Sequence, residues 1–271
     1  MYVLKLGGGA GITQDAFDNF AADLATLEGQ FVVVHGANAE FSRLSAALGQ
    51  PPRMITNDKG RVSRYTDRET METMLMAYCG KVNKLLVATM QHAGVNAVGL
   101  SGIDGHLATG TRKPTIRGTE DGKVKVLRDD HAGSLKAVDT RLVTLLLDAG
   151  YLPVLTPPAI DLAEGTPINV DGDRLSLELA LALGAEGLIF FADTPGLLRD
   201  RDDESTLIEE IDASDHDKAM AAAQGRMKVK VETAVKAVEQ GVGRVIFADG
   251  RTSRPVTDAL AGKGTVVRNA S

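Results

Sequence analysis

The sequence has one cysteine and no tryptophan, and aromatic residues make up only 4% of its 271 residues. Because Cys79 cannot form an internal disulfide bond, we expect the protein to work in a reducing compartment. The chain has no apolar run long enough to cross a bilayer. Residues 1–11 show neither the basic start nor the apolar core of a signal peptide. These absences predict a cytoplasmic protein that does not associate with membranes.

An excess of positive charge is also missing, since 30 basic residues face 36 acidic ones and the formal net charge is −6. A general nucleic-acid binder needs a basic surface, so this class is excluded. A chain of this length can bury a large core as one domain or as two joined lobes. It contains no repeat, low-complexity tract or linker. A single domain over residues 1–271 is therefore predicted.

Two common nucleotide-binding fingerprints do not occur either. The chain has no G-x-x-x-x-G-K-S/T segment, and no G-x-G-x-x-G follows the first predicted strand. The first absence excludes a P-loop enzyme, and the second disfavours a dinucleotide-dependent oxidoreductase. The histidines are scattered without the spacing of metal ligands, so no metal held by the protein is expected. They are His35, His92, His106, His131 and His216.

What the sequence does contain is a regular alternation of short apolar runs and longer stretches of helical periodicity. This alternation is typical of an α/β fold with a mainly parallel sheet. Strand candidates are Tyr2–Leu6, Phe31–His35, residues 95–99, residues 151–155 and Gly187–Ala192, and helix candidates include residues 16–27, 71–92 and 227–239. Between residues 102 and 130 the pattern instead predicts a hairpin, with strands at residues 112–117 and 123–128 around Glu120-Asp-Gly122.

The first two predicted strands end in glycine, in Lys5-Leu-Gly-Gly-Gly9 and His35-Gly36. Glycine lets the backbone approach a ligand closely and point its N–H groups at an anion. Ligands of open α/β sheets gather at the carboxyl ends of the strands. A strand that ends in a lysine and three glycines therefore indicates a phosphate site, although glycine is also common in turns between strands and helices.

Two polar clusters open predicted helices. Asn169-Val-Asp-Gly-Asp173 either caps its helix or places a carboxylate at a phosphoryl-transfer site. Gly225-Arg-Met-Lys-Val-Lys230 puts Lys228 and Lys230 on nearly opposite sides of a helix, so at most one of them can face a site. Lysines at a helix start oppose the helix dipole, and a bound phosphate would compensate for this.

These four segments and four others resemble, in order and over nearly the whole chain, the acetylglutamate kinase branch of the amino-acid kinase family. The eight segments are Lys5-Leu-Gly-Gly-Gly9, His35-Gly36, Arg64-Tyr-Thr-Asp67, Ala97-Val-Gly-Leu100, Gly150-Tyr-Leu-Pro-Val154, Asn169-Val-Asp-Gly-Asp173, Asp193-Thr-Pro-Gly-Leu197 and Gly225-Arg-Met-Lys-Val-Lys230. The resemblance implies a three-layer αβα sandwich of the carbamate kinase-like type. It also implies an acceptor-binding lobe at about residues 1–170, an ATP-binding lobe at about residues 171–271, and a homodimer.

The resemblance further implies roles for individual residues at the reaction centre. Lys5 and Lys230 would flank the transferred phosphoryl group, and Asp173 would hold the two lysines in place. Gly8 and Gly36 would offer backbone N–H groups. ATP, with Mg²⁺ carried on its phosphates, is the implied cofactor. Its pocket is implied to include Lys5, Gly7, Asp193, Gly196, Leu197 and Lys230.

On the acceptor side, Arg64 would pair with the α-carboxylate of an amino-acid substrate, and Asn169 would fix another part of it. Gly36 and Ala37 would complete that side. The sequence departs from the family pattern here, because Ala37 and Asn38 replace two glycines and Asp171 replaces an asparagine. The departures concern the identity of the substrate more than the type of reaction.

Arg64-Tyr-Thr-Asp67 and Arg112-Lys113 resemble the aminoadipate kinases of carrier-protein-dependent lysine biosynthesis, whose substrate is attached to a small acidic amino-group carrier protein. Residues 112–128 hold six basic side chains and two acidic ones on an otherwise acidic chain. A basic segment of this kind steers an acidic partner, and Arg112, Lys113 and Arg117 are the candidate contacts. The alternative is a solvated edge hairpin whose lysines prevent aggregation.

The predicted reaction is ATP-dependent phosphorylation of the side-chain carboxylate of an N-blocked amino acid to an acyl phosphate. A carboxylate with a pKa of about 4.3 is already ionised at neutral pH and needs no general base. Carrier-linked or N-acetyl α-aminoadipate is the first candidate acceptor. N-acetylglutamate, in arginine biosynthesis, is the alternative, since one methylene separates acceptors by only about 1–3 kcal/mol. A non-catalytic sensor of amino acid and nucleotide is disfavoured because Lys5 and Lys230 are both present.

Overall fold

The computed structural model describes residues 1–9, 11, 13–57, 60, 62–120, 122–200, 202–215 and 225–270. Sixteen strands are described: β1 Tyr2–Leu6, β2 Phe31–His35, β3 Met54–Asn57, β4 Val62–Arg64, β5 Ala97–Ser101, β6 Ala108–Arg112, β7 Thr115–Glu120, β8 Lys123–Arg128, β9 Gly133–Val138, β10 Leu152–Thr156, β11 Ala159–Asp161, β12 Thr166–Ile168, β13 Gly187–Ala192, β14 Glu210–Asp212, β15 Arg244–Asp249 and β16 Thr265–Arg268. The described α-helices are α1 Gln14–Leu24, α2 Asn38–Ala47, α3 Arg68–Leu75, α4 Asn83–His92, α5 Arg141–Asp148, α6 Gly172–Ala182, α7 Gly225–Glu239 and α8 Pro255–Leu260. None of these helices has the length and apolar character needed to cross a membrane.

The central sheet has eight strands in the order β14-β16-β15-β13-β1-β2-β10-β5. Neighbouring strands are parallel except β15 and β16. Its inner strands are apolar on both faces, as burial by helices on both sides requires. In β1, Val3 belongs to the hydrophobic cluster packed by α6 and α7, whereas Leu4 belongs to the cluster packed by α1, α4 and α8. The predicted αβα sandwich with a mainly parallel sheet is confirmed.

Two four-stranded sheets accompany the central one, with strand orders β12-β11-β6-β9 and β4-β3-β7-β8. The predicted strand over residues 112–117 is wrong, because the chain passes between these two sheets at Lys113 and Pro114. The N–H of Lys113 donates to the carbonyl of Ala132 (2.8 Å), next to the Arg112–Gly133 pair of β6 and β9. Pro114 has no N–H to donate to a neighbouring strand, so the strand ends there. The hairpin itself is real, since β7 pairs antiparallel with β8. Gly122 of its turn has φ +75°, and residue 121 lies outside the described residues.

The predicted helix over residues 71–92 is continuous but not uniform. Between α3 and α4 the chain forms a π-helix at Met76–Val82. The predicted helix over residues 227–239 is α7, whose first described residue is Gly225. His216 lies outside the described residues, and the division into lobes near residue 170 and the homodimer stay predictions.

Candidate active site

A cavity of about 970 Å³ opens where β1 and β13 end. These strands are parallel neighbours, with Leu6 beside Phe191, so the residues that follow them meet at one sheet edge. The predicted site residues that border the cavity are Lys5, Gly7, Lys113, Asp173, Asp193, Gly196, Leu197 and Lys230. Residues from both ends of the chain therefore line the same space.

Lys5 and Asp173 form an ion pair inside this cavity. The Lys5 ammonium lies 2.6 Å from Asp173 Oδ1, and only 15% of the lysine side chain is exposed. Asp173 is in the first turn of α6, where the helix dipole favours a negative charge. The neighbouring Asp171 caps the same helix by accepting from the N–H of Arg174 (2.9 Å). The two readings of the cluster are thus divided between two aspartates: Asp171 caps the helix and Asp173 orients a lysine.

Lys230 borders the cavity from α7, whereas Lys228 is exposed and is not among the described residues that line it. This difference follows from their spacing on the helix. Within the part of the chain that the structure describes, no ion pair joins Lys230 to Asp173. The contact of Asp173 with Lys5 therefore supports, for this one lysine, the holding role that the family resemblance implies for both.

The loops after β1 and β2 touch backbone to backbone. A Cβ placed on Gly8 would lie 2.4 Å from the nitrogen of Ala37 and 2.5 Å from the carbonyl carbon of Gly36. The N–H of Ala39 also donates to the carbonyl of Gly8 (2.8 Å). Gly7 borders the cavity directly, whereas Gly8, Gly36 and Ala37 are not among the described residues that line it. The close approach explains why glycine is required at position 8, independently of any ligand.

Arg64 sits on the ring of Phe41, with its guanidinium carbon 3.9 Å from the ring centroid. It also donates to Asn38 Oδ1 (3.3 Å), which accepts a second hydrogen bond from the Tyr78 hydroxyl (2.7 Å). Its Nε is buried and, among the described residues, has no hydrogen-bond partner. Asn38, one of the residues that depart from the family pattern, therefore helps to fix the arginine predicted to bind the acceptor.

Asn169 joins a network that the sequence did not reveal. Its Nδ2 donates to Thr66 Oγ1 (3.1 Å), and the N–H of Thr66 donates to Asp130 Oδ1 (3.0 Å). Asp130 borders the cavity, and burial raises the pKa of its carboxyl group. Thr66 lies in the Arg64-Tyr-Thr-Asp67 segment, whereas Asp130, far along the chain, lies in none of the eight segments. No local sequence signal distinguished Asp130.

The three candidate carrier contacts differ in their surroundings. Arg112 is largely buried and pairs with Asp129 and Glu164, and its Nε donates to the carbonyl of Asp130 (2.9 Å). Lys113 and Arg117 are exposed, and Lys113 also borders the cavity. Because Arg112 is engaged within the protein, Lys113 is the one of these three residues that adds exposed positive charge at the cavity.

His35, at the end of β2, is fully buried, and desolvation lowers its pKa to about 4. Its Nε2 accepts from Asn83 Nδ2 (3.1 Å), which can only donate, so its Nδ1–H donates to the carbonyl of Gly36 (3.1 Å). A second proton on Nε2 would face another donor. The network therefore requires a neutral imidazole beneath the glycine loop.

We expect this histidine to make the protein less stable at acid pH. Its folded pKa lies below the unfolded value of 6.5, so the unfolded chain binds the extra proton. The stability that the neutral ring contributes is complete above pH 6.5 and is lost as the pH falls to about 4, by about 3 kcal/mol. Urea unfolding of His35→Gln should show a weaker pH dependence in this window than the unmodified protein. His92→Gln, which changes an exposed histidine, should leave the dependence unchanged, and equal slopes for all three proteins would contradict the prediction.

The chain is similar in sequence to known kinases over most of its length. Residues 1–249 match the model of the amino acid kinase family. The chain is 52% identical over 267 residues to a LysW-aminoadipate kinase of Deinococcus radiodurans, covering 98% of this chain and 91% of that protein. It is 48% identical to the LysW-aminoadipate kinase of Thermus thermophilus, over 99% of this chain and all of that protein. An acetylglutamate kinase of Methanopyrus kandleri is 35% identical over 99% of this chain and all of that protein.

Solved structures support the fold. An N-acetylglutamate synthase from Neisseria gonorrhoeae aligns with a TM-score of 0.78 at 24% identity, over all of this chain and 59% of that one. A carbamate kinase from Giardia aligns with a TM-score of 0.64 at 17% identity, over 99% of this chain and 98% of that one. At these identities the likeness concerns the architecture and not the chemistry.

Proposed function

The chain belongs to the amino acid kinase family, and we propose that it transfers the γ-phosphoryl group of ATP to the side-chain carboxylate of α-aminoadipate held through its amine on a small carrier protein. The observation that carries this proposal is that Lys5 and Lys230, far apart in sequence, border one cavity at the glycine-rich strand ends. Two cations at such a position can compensate the charge of a phosphoryl group in transfer. The product would be an acyl phosphate of lysine biosynthesis.

The reaction needs positioning and charge compensation more than proton transfer. An oxygen of the acceptor carboxylate forms a bond to the γ-phosphorus while the bond to the β-phosphate oxygen breaks, and ADP leaves. No proton has to be removed, because the acceptor is already ionised. Mg²⁺ arrives with the ATP phosphates as part of the substrate. The protein supplies Lys5, held by Asp173 at 2.6 Å, so that its ammonium needs little reorganisation during transfer.

Two observations support the proposed acceptor: the sequence identity to the relatives, and the exposed positive charge of Lys113 and Arg117. The two relatives named for LysW-aminoadipate are 52% and 48% identical to this chain, whereas the acetylglutamate kinase is 35% identical. Exposed Lys113 at the cavity and Arg117 on β7 would attract an acidic carrier. N-acetylglutamate is the second candidate acceptor, since it has the same functional groups and one methylene fewer.

A hydroxamate assay with three acceptors side by side tests the proposal. These are carrier-linked aminoadipate, N-acetylaminoadipate and N-acetylglutamate, each with ATP. The highest kcat/KM is expected for the carrier-linked acceptor. A preference for N-acetylglutamate would replace the proposal by its second candidate. No turnover of any acceptor would favour the non-catalytic sensor.

Arg64→Ala is expected to act on the acceptor and not on ATP. Loss of a hydrogen bond to a charged group costs about 1.5–3 kcal/mol, so the KM for the acceptor should rise by about tenfold to a hundredfold. Steady-state kinetics with each substrate varied in turn measure this. Arg43→Ala, which removes an exposed arginine on the neighbouring α2, is the matched control. An effect of Arg64→Ala confined to the KM for ATP would contradict the role.

A further inference from the structure

One carboxylate beside the cavity has an oxygen with no hydrogen-bond partner in the described part of the chain. Asp130 is only 1% exposed and borders the cavity. Its Oδ1 accepts from the N–H groups of Thr66 (3.0 Å) and Ala132 (3.2 Å). Its Oδ2 is buried and, among the residues that the structure describes, has no hydrogen-bond partner. Because an unpaired buried polar atom costs free energy, such an atom next to a cavity points to a ligand that completes it.

The position of this oxygen relates it to the acceptor. Thr66 is hydrogen-bonded to Asp130 through its N–H and to Asn169 through its hydroxyl. The same hydroxyl lies 3.3 Å from the carbonyl of Arg64. Thr66 itself is fully buried. Thr66 therefore connects Asp130 to the side chain of Asn169 and to the backbone of Arg64, the two residues that were predicted to hold the acceptor.

Arg64, two residues before Thr66, and Asp130, which accepts from the N–H of Thr66, each carry one buried atom that is unpaired within the described residues: the donor Arg64 Nε and the acceptor Asp130 Oδ2. An N-acyl amino acid carries the complementary pair on a single carbon atom, since its α-carboxylate accepts hydrogen bonds and its amide N–H donates one. A second ionised carboxylate would not supply this combination, because it has no donor for Asp130 Oδ2. The two orphaned atoms thus match the blocked end of the acceptor.

We propose that Asp130 Oδ2 accepts a hydrogen bond from the amide N–H of the N-blocked acceptor while Arg64 binds its α-carboxylate. This inference rests on the proposed function and adds to it a residue that recognises the blocked amine. Burial raises the pKa of the Asp130 carboxyl group. A hydrogen bond from the amide favours the ionised form and opposes that shift. Binding of the acceptor and ionisation of Asp130 then support each other.

The test compares two acceptors that differ in one atom. The acceptor that performs best in the hydroxamate assay is prepared as the natural amide and as the ester, with oxygen in place of the N–H. The unmodified protein should prefer the amide by about tenfold to a hundredfold in kcat/KM, the value of one hydrogen bond to a charged group. Equal turnover of amide and ester would overturn the proposal.

Asp130→Asn then assigns the preference to this residue. The amide side chain has the same shape, and its oxygen can still accept from the N–H groups of Thr66 and Ala132. Its NH₂ group, in place of Oδ2, can no longer accept. We expect the amide-to-ester ratio to fall to within about twofold of one, with the KM for ATP unchanged. Asp129→Asn, next in the chain and exposed, is the control and should keep the original ratio.

The outcomes separate this inference from the function on which it rests. If the unmodified protein phosphorylates no N-acyl acceptor, the proposed function fails. If it prefers the amide and Asp130→Asn keeps that preference, only the role of Asp130 fails. Thermal unfolding monitors the fold of the variant. Should the asparagine variant not fold, Asp130→Ser, whose hydroxyl can accept from Thr66 but leaves the Oδ2 position empty, is measured in the same way and decides by the same ratio.

Discussion

Lys230→Ala is expected to lower kcat by about 10²- to 10³-fold while leaving the fold intact. This is the usual cost of removing one preorganised group that stabilises charge in a transition state. The lysine projects from α7, borders the cavity and is exposed, so its removal leaves no buried cavity in the core. Single-turnover measurement of acyl phosphate formation would locate the loss in the chemical step.

Lys228→Ala is a matched control for this prediction. It removes the same charge from the same helix two residues away, at an exposed position that is not among the described residues lining the cavity. General effects on net charge or on α7 would appear equally in both variants. A kcat of Lys230→Ala within about threefold of that of Lys228→Ala would contradict the catalytic role, since one lost stabilising group should cost far more.

The sequence predicted the central part of the fold well because its signals there are local. The strands β1, β2 and β13 are short apolar runs, and each carries its own pattern. Parallel strands also place their following loops at a common edge, so topology brings the loop after β1 close to Asp193. The spacing of Lys228 and Lys230 likewise predicted that only one of them could face the cavity.

The region between β6 and β9 was predicted only in part: the β7–β8 hairpin was found, but the pairing of these strands with the rest of the protein is set by distant partners. Periodicity gave one strand across Lys113 and Pro114, where the chain leaves one sheet for another. Strand β3 pairs with β7, far along the sequence, and such a choice of partner has no local signature. The same holds for Asp130, whose importance depends on Thr66 and on a cavity that exist only in the folded chain.

The sequence also could not distinguish structural from catalytic roles within a motif. In the cluster Asn169-Val-Asp-Gly-Asp173, the residue type alone allows either Asp171 or Asp173 to cap the helix or to serve at a phosphoryl-transfer site. The structure separates them, because Asp171 accepts from a backbone N–H of its own helix and Asp173 contacts the ammonium of Lys5. Similarly, Gly8 was predicted to bind phosphate, and its close approach to the β2 loop is a packing requirement that would select glycine in any case.

That packing requirement leads to a second large expected effect. Gly8→Ala would place a Cβ 2.4 Å from the nitrogen of Ala37 and 2.5 Å from the carbonyl carbon of Gly36. Both contacts are to backbone, which cannot rotate away as a side chain can, so the loops after β1 and β2 must separate. Displacement of a substrate-positioning segment by about 1 Å can cost about a hundredfold in rate. We therefore expect kcat/KM to fall by about a hundredfold and the free energy of unfolding to fall by about 1–3 kcal/mol.

Gly9→Ala distinguishes this strain from the general effect of replacing a glycine. An added Cβ at Gly9 would meet no atom of the described residues within 4 Å, so the free energy of unfolding should stay within about 0.5 kcal/mol of the original value. Chemical denaturation of both variants measures the difference. Equal stabilities for the two variants would mean that the loops after β1 and β2 yield at little cost, and that the contact between them does not hold the backbone of the β1 loop in place. A loss of stability at Gly8 alone would show that the two strand ends act as one unit, because the position of the β1 loop then depends on the β2 loop that packs against it.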